Sequence, residues 1–284
     1  MNTTVAPRPD SAVPAGVLRS PIGEGLSAGE VVDGLLTRFE AATLGHLEAV
    51  ALLDRTDRKY LLTAPQLRPV LASLADDYLV LEIDRVRRHR YRTLYFDTPA
   101  FELFRRHHAA AARRHKVRSR TYVDTGLSFF EVKGKDARGR TVKHRLRTDA
   151  LVTRLGPPEV AFVAAHAPVP PDALEPKLWN AFERITLVGR RRPERLTIDL
   201  GLSFETDAGH ATGLPGIVVA ELKQQEVDHA SPFARRMRSA RIRPASVSKY
   251  CVGVALLHGD VRHNAFKPTL RTVARLMEEA ARVW

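Results

Sequence analysis

Between Tyr78 and Lys223 apolar and polar residues alternate in short runs, and side chains that alternate along a strand project to opposite faces of a sheet. Eight runs rich in β-branched or aromatic residues predict strands: Tyr78 to Ile83, Arg90 to Asp97, Lys116 to Asp124, Phe129 to Lys135, Arg140 to Arg147, Ala181 to Val188, Leu196 to Phe204 and Ile217 to Lys223. Helical spacing flanks them. Ser27 and Glu30 have capping-box spacing, and Val31, Leu35, Phe39, Leu44 and Leu47 form one face of a helix to about Val50. Thr63 with Gln66 repeats the box and opens a helix through Leu74, after the short run Arg58 to Leu62. Helical interruptions fall at Pro99 to Ala111, Pro157 to Ala165 and Pro232 to Ser239, and amphipathic segments at Ser246 to Leu257 and Thr269 to Val283. Closely spaced antiparallel-type strands predict an α+β fold, built on a sheet or closed β-barrel flanked by helices. Residues 1–26, with Pro7, Pro9, Pro14 and Pro21, read as a disordered leader. Residues 27–260 read as one domain, and 261–284 as a C-terminal helix packing on it.

Composition narrows the partners. A chain of 284 residues, 44% hydrophobic and 27% charged, is long enough to bury a sizeable core. No run of about 18 apolar residues predicts a membrane span, and no basic segment followed by an apolar one predicts a secretory signal. Cys251 is the single cysteine, which excludes an intramolecular disulfide and a cysteine zinc knuckle and suits a reducing, cytoplasmic setting. The net charge is +13, and residues 84–147 hold 19 Lys and Arg against 6 Asp and Glu, leaving 26 of each sign elsewhere. So concentrated a field attracts nucleic acid, an anionic membrane surface or phosphate-rich small molecules. With 36 Arg and only 9 Lys, the lysines are informative: seven of the nine fall in the segments discussed next. A lysine is a compact point charge that suits phosphate oxygens.

Charge in the strands recurs with period two. Lys116, Arg118 and Arg120 share one strand face, Glu131, Lys133 and Lys135 the next, and Lys143, Arg145 and Arg147 a third. Arg184 lies between Phe182 and Thr186, Arg195 alternates with Leu196, and Glu221 and Lys223 alternate with Ala220 and Leu222. One such strand is an ordinary wet face. Several mostly cationic faces side by side repel one another, and are tolerable where a polyanion neutralises them, on an open sheet or inside a barrel lumen. Glu131 and Glu221 each stand two residues before a lysine on the same face. They form ion pairs with those lysines or offer hard oxygen ligands to Mg²⁺ or Mn²⁺ beside phosphate-binding charge. A metal on phosphate oxygens with Lys and Arg around it is the equipment of phosphoryl transfer.

The runs Asp54-Arg-Thr-Asp-Arg-Lys-Tyr60, Tyr91-Arg-Thr-Leu-Tyr-Phe-Asp97, Lys116-Val-Arg-Ser-Arg-Thr-Tyr122, Phe130-Glu-Val-Lys133, Phe182-Glu-Arg-Ile-Thr186, Arg195-Leu-Thr-Ile-Asp199, Glu221-Leu-Lys223 and Ser248-Lys-Tyr250 together resemble the VTC domain. This is the catalytic domain of polyphosphate polymerases, within the CYTH-like triphosphate tunnel metalloenzymes. The resemblance covers about residues 30–260. It implies an antiparallel barrel forming a basic tunnel that takes ATP and a growing polyphosphate chain with a divalent metal, usually manganese. By motif, the phosphate-binding catalytic positions are Lys59, Arg92, Arg118, Arg120, Lys133, Lys143, Arg184, Arg195, Lys223 and Lys249. Glu221 is the implied metal ligand with Glu131 as helper. Phe182 stands where the family usually has a tyrosine.

The implied reaction moves the γ-phosphate of ATP to the end of a polyphosphate chain and releases ADP. No serine or cysteine nucleophile is needed, because a terminal phosphate oxygen attacks directly. Two other readings use the same residues: a triphosphatase with water as acceptor, and a non-catalytic polyanion binder. Nucleic acid is not expected, since aromatics make up only 7% of residues and few are placed as stacking platforms. A membrane partner, if one exists, is a separate polypeptide.

Overall fold

The computed structural model describes residues 28–49, 56–135 and 141–282. In chain order the elements are α1 (Ala28–Leu36), β1 (Ala41–Ala42), α2 (Leu44–Ala49), β2 (Thr56–Thr63), α3 (Ala64–Ala72), β3 (Tyr78–Leu81), β4 (His89–Asp97), α4 (Glu102–His108), β5 (Arg114–Tyr122), β6 (Ser128–Lys135) and β7 (Thr141–Thr148). Then come α5 (Pro157–His166), β8 (Glu175–Gly189), β9 (Glu194–Glu205), β10 (Ala211–Gly213), β11 (Ile217–Gln224), α6 (Pro232–Ser239), α7 (Lys249–Leu257) and α8 (Lys267–Ala281). No described helix is long and apolar enough to cross a membrane.

The strands form one sheet in the order β2-β11-β9-β8-β4-β5-β6-β7, and every pair along this path is antiparallel. β8, at 15 residues, shares one edge between β4 and β3. Among the described residues no ladder joins β2 to β7, so the hydrogen-bonded closure of a barrel is not observed. The α+β architecture and its antiparallel pairing are.

Period-two alternation sorts the two faces. Leu62, Leu196, Ile198, Ala220 and Leu222 pack under α1, α3 and α6 with Phe233 and Met237. Leu94, Phe96, Val117, Phe130 and Val132 pack under α5 with Val163. Each fully buried Leu or Phe contributes roughly 1.5–3 kcal/mol relative to exposure. A third cluster lies at one end of the opposite face, where Leu61, Val219, Phe182 and Phe204 meet Val252 and Val254 of α7 and Val273 and Leu276 of α8. Close approach there requires a small residue: a Cβ on Gly253 would lie 2.5 Å from Leu178.

The capping box at Thr63 and Gln66 forms in both directions, with Gln66 N donating to Thr63 Oγ1 at 3.3 Å and Thr63 N to Gln66 Oε1 at 2.9 Å. The helix expected to run from Ser27 to Val50 is instead broken. Val80 N donates to Glu40 O and Glu82 N to Ala42 O, both at 2.9 Å, so the edge of β3 recruits this stretch as β1. Ser27, Val50 and the leader at 1–26 lie outside the described residues, as do Asp54, Arg55 and Arg140. The run Arg58 to Leu62 becomes the full strand β2, paired with β11 over eight residues.

Asp97 closes β4 and starts α4. Its carboxylate accepts from the backbone N–H of Thr98, Leu103 and Phe104, each at 2.8 Å, and from the Tyr250 hydroxyl of α7. Phe101, just before α4, has φ 56° and no side-chain cap, so Asp97 satisfies the helix's orphan donors in its place.

Candidate functional site

Register places the charged residues. Lys59 of β2 stands opposite Glu221 of β11, which stands opposite Thr197 of β9, while Lys223 stands opposite Arg195. Arg184 of β8 faces Asp199 of β9. Arg118 lies between Tyr95 of β4 and Glu131 of β6, and Glu131 faces Arg145 of β7. Lys116, Lys133 and Lys143 sit side by side on β5, β6 and β7. Directly opposed residues in a ladder share a face, so these side chains occupy one face of the sheet.

That face is concave. In a flat sheet β6 and β11 would be about 24 Å apart at ~4.8 Å per strand. Yet Lys133 on β6 is acted on by the charges of Glu221 on β11 and Lys59 on β2, and Lys116 on β5 by that of Lys59. The sheet therefore rolls until strands five places apart in the path lie within electrostatic reach. Lys249, the first residue of α7, enters the same space from one end, positioned by Ser248, whose hydroxyl accepts from Cys251 N at 3.3 Å.

Three carboxylates organise the cations. Glu131, fully buried, accepts from Arg118 at 2.6 Å and pairs with Lys143 and with Arg145 at 3.1 Å. Asp199 accepts from Arg184 Nε at 2.6 Å and Nη2 at 2.8 Å, and from Lys249. Glu221 is clasped by Lys59 at 2.8 Å and by Lys223. Burial opposes the charge of each carboxylate, but the attached cations outweigh it and hold all three below the usual carboxylate range, Asp199 at about 2.

The lysines show the opposite balance. Burial, with neighbouring cations, pushes Lys133 and Lys223 down to about 8 despite the attraction of Glu221. Lys116, Lys143 and Lys249 are also lowered, burial again leading. Arg120, 6% exposed, is lowered to about 10 by burial and by Arg118, and donates to Thr93 Oγ1 at 3.0 Å. Tyr95 resists ionisation through burial, yet Arg118, Arg120, Lys116 and Lys249 together draw its hydroxyl below the usual value. Phe182, in the tyrosine position of the resemblance, stacks on Tyr91 at 5.0 Å and lies under Arg120, Arg184 and Lys249 at 5.7, 5.2 and 4.5 Å.

Nine of the ten expected phosphate-binding residues are on this face: Lys59, Arg118, Arg120, Lys133, Lys143, Arg184, Arg195, Lys223 and Lys249. Arg92 is not. It shares the opposite face with Leu94 and Phe96, is exposed, and stacks 4.3 Å from the Trp179 ring centroid. Lys116 and Arg145 are in the cluster without having been carried over by motif. Asp199, which closes the run Arg195-Leu-Thr-Ile-Asp199, is in the cluster too, without a role implied by the resemblance.

Neither carboxylate proposed for metal binding stands in a ready-made cage. Among the described residues no three His, Cys, Asp or Glu side chains are grouped to hold a cation. Glu131 is fully buried among three cations, which does not suit a further cation. Glu221, 15% exposed, is the carboxylate that a magnesium-type ion sharing its shell with substrate oxygens fits.

Among the described residues, Lys59, Lys116, Arg118, Arg120, Lys133, Lys143, Arg145, Arg184, Arg195, Lys223 and Lys249 meet the carboxylates Asp57, Glu131, Asp199 and Glu221 on this face, and register puts Arg114, Lys135 and Arg147 on it as well. An excess of this size on a concave face attracts a compact, multiply charged anion.

The sequence model of one family, the VTC domain, matches residues 54–258. No curated protein matches the chain in sequence. Solved structures to which the chain is similar include a candidate adenylate cyclase from Bacillus halodurans, 16% identical with a TM-score of 0.44 over 69% of this chain and 94% of that one. A candidate adenylyl cyclase from Hippeastrum, described as having a dominant triphosphatase activity, is 14% identical with a TM-score of 0.44 over 72% and 96%. A protein from Pyrococcus horikoshii is 9% identical with a TM-score of 0.36 over 66% and 88%.

Proposed function

Since the chain belongs to the VTC domain family, we propose that it is a polyphosphate polymerase, transferring the γ-phosphate of ATP to the end of an inorganic polyphosphate chain. The concave face acts as the tunnel that holds both. The observation that carries this reading is the excess of cations on one concave face, with Lys116, Lys133 and Lys143 adjacent across three strands.

Catalysis is then alignment and charge. Lysines and arginines hold the donor triphosphate and the acceptor chain in line. A terminal oxygen of the acceptor forms the new bond to the γ-phosphorus as the bond from that phosphorus to the β,γ-bridging oxygen breaks, and ADP leaves with that oxygen. The negative charge carried by the oxygens of the transferred group meets preorganised cations rather than water. Arg118, Arg184 and Lys249 are fixed by Glu131 and Asp199, so they need little reorganisation during transfer. Glu221 would hold Mn²⁺ or Mg²⁺ with substrate oxygens, and such an ion supplies Lewis-acid charge neutralisation when bound. Cys251 is not a nucleophile, for it is buried and burial pushes its thiol up.

Incubation of the protein with ATP and Mn²⁺ tests the reading, with products resolved on a gel and ADP measured in parallel. Long chains formed in step with ADP support the polymerase. Orthophosphate released without chains assigns water as the acceptor and makes the protein a triphosphatase. Tight polyphosphate binding with no turnover of ATP makes it a binder.

A further inference from the structure

Outside the concave face a dense unbalanced charge lies between His229 and Gly259, a stretch of 31 residues with five arginines, Arg235, Arg236, Arg238, Arg241 and Arg243, one lysine and no Asp or Glu. All five arginines are exposed. Among the described residues none has a carboxylate within ion-pair distance; Arg238 donates to His229 O at 2.8 Å, a neutral acceptor.

The path of this segment gives the cluster a direction. α6 packs on the outer face of the sheet through Phe233, Ala234 and Met237, with Phe233 edge-on to Tyr60 of β2 at 5.4 Å, and the charge of Arg238 reaches the Tyr60 hydroxyl. The chain then turns, with Arg241 at φ 56°, and Ala245 N donates to Lys59 O at 2.8 Å on the edge of β2 that β11 does not use. Four residues later Lys249 enters the concave face and pairs with Asp199. Residues 232–249 are therefore a strap around the end strand of the sheet, cationic along its length. It leads from the site to the outside.

We propose that this arginine strap is a second polyanion site, which binds the part of the polyphosphate chain that extends beyond the concave face; the inference rests on the polymerase reading above. The strap offers exposed point charges without counter-ions, continuous with a site that already selects phosphate. It lacks the features of the competing partners. A membrane-surface helix pairs basic residues with an exposed apolar face, whereas the apolar face of α6 is spent on the core. Single-stranded nucleic acid is held by aromatic platforms, and residues 234–249 contain none.

The test compares long-chain polyphosphate with tripolyphosphate, whose three phosphates are fewer than the cations of the concave face alone. In the full chain the five arginines are changed together to Gln, and in a second variant to Lys, which keeps the charge. Binding is measured across salt concentrations. The Gln variant should bind long chains at least tenfold more weakly, with the log–log salt slope reduced by about 3.5 if phosphate chains release counter-ions as single-stranded nucleic acids do. Its tripolyphosphate affinity should be unchanged, and the Lys variant should behave as wild type. Unchanged long-chain binding by the Gln variant overturns the strap while leaving the polymerase reading intact. Wild type that binds neither anion overturns the polymerase reading itself and the strap with it. Loss of binding to phosphatidylserine vesicles or single-stranded RNA, with polyphosphate binding kept, reassigns the surface and also overturns the proposal.

Discussion

Asp199 offers the most direct measure of how the cation cluster is held. Its side chain is 3% exposed and ties Arg184 of β8 and Lys249 of α7 to β9. Burial works against its ionisation, but Arg184 and Lys249 lower its pKa from 3.8 to about 2. A carboxylate with a folded pKa below its unfolded one stabilises the fold at pH values above the unfolded pKa, and that stability is lost as pH falls through the folded pKa. The shift corresponds to about 2 kcal/mol at 1.36 kcal/mol per unit, present above pH ~4 and gone near pH 2. Asp199→Asn removes the charge and leaves Arg184 and Lys249 without their counter-ion, a change that costs about 3–5 kcal/mol in buried pairs. The remaining amide oxygen still accepts one hydrogen bond, so a value near 3 kcal/mol is expected. Urea denaturation of both proteins at pH 7 and near pH 2.5 checks it. The difference should be about 3 kcal/mol at neutral pH and should shrink by 1–2 kcal/mol in acid, where the wild-type carboxylate is losing its charge too. A gap that stays constant with pH would mean that Asp199 acts by shape rather than charge, and the electrostatic account of the site would fail.

Lys133 and Lys223, lowered to about 8, carry their charge below that pH and lose it above. Affinity for ATP should thus weaken as pH rises through about 8, read as a rise in KM, and Lys133→Arg should remove part of that rise. Arg92→Ala should leave tripolyphosphate affinity unchanged and cost about 0.5–1 kcal/mol of stability, the worth of an exposed cation–π contact; a large loss of affinity would put Arg92 in the site after all. Tyr250→Phe takes one donor from buried Asp97 and should cost about 1–3 kcal/mol in thermal or urea unfolding. Because Lys249 is the neighbouring residue, KM for ATP should rise with it.

Strand positions and the cation-lined face were legible because both depend on period two, a local property. Lys116, Arg118 and Arg120 alternate with buried Val117 and Ser119, and the structure keeps that sorting. The same rule separates Arg92 from the site: Leu94 and Phe96 lie on its face, and the motif reading set this alternation aside. β2 was passed over because Arg58, Lys59 and Tyr60 interrupt a simple apolar pattern; the strand is made by its pairing with β11, a contact more than 150 residues away. The first half of β8 begins Glu175-Pro176-Lys177, and Pro176 sits at a register shift against β4. Proline at an irregularity costs no ladder bond, but sequence alone gives no sign of the irregularity. Glu131 and Glu221 looked alike in sequence, each two residues before a lysine. Register separates them, since Glu131 faces arginines on both neighbouring strands and Glu221 faces Lys59 on one side and Thr197 on the other.

The carboxylates also indicate where a phosphate chain gains most. Asp199, Glu131 and Glu221 each bridge cations from different elements, so the ion pairs fix strand positions before any ligand arrives. Residues served this way are largely neutralised. Lys116 and Lys133 are different: among the described residues neither has a carboxylate at ion-pair distance, they stand directly opposite each other, and Lys143 continues the row. Like charges directly opposed across a ladder destabilise the pairing. Burial deepens that cost and lowers all three pKa values. A phosphate placed over this row relieves repulsion as well as adding attraction, and it raises the lysine pKa values so that all three carry full charge. On the proposed reading the phosphate chain therefore gains most over Lys116 and Lys133, the pair left without a carboxylate, while Lys143 on Glu131 and the ion-paired arginines hold that row in place.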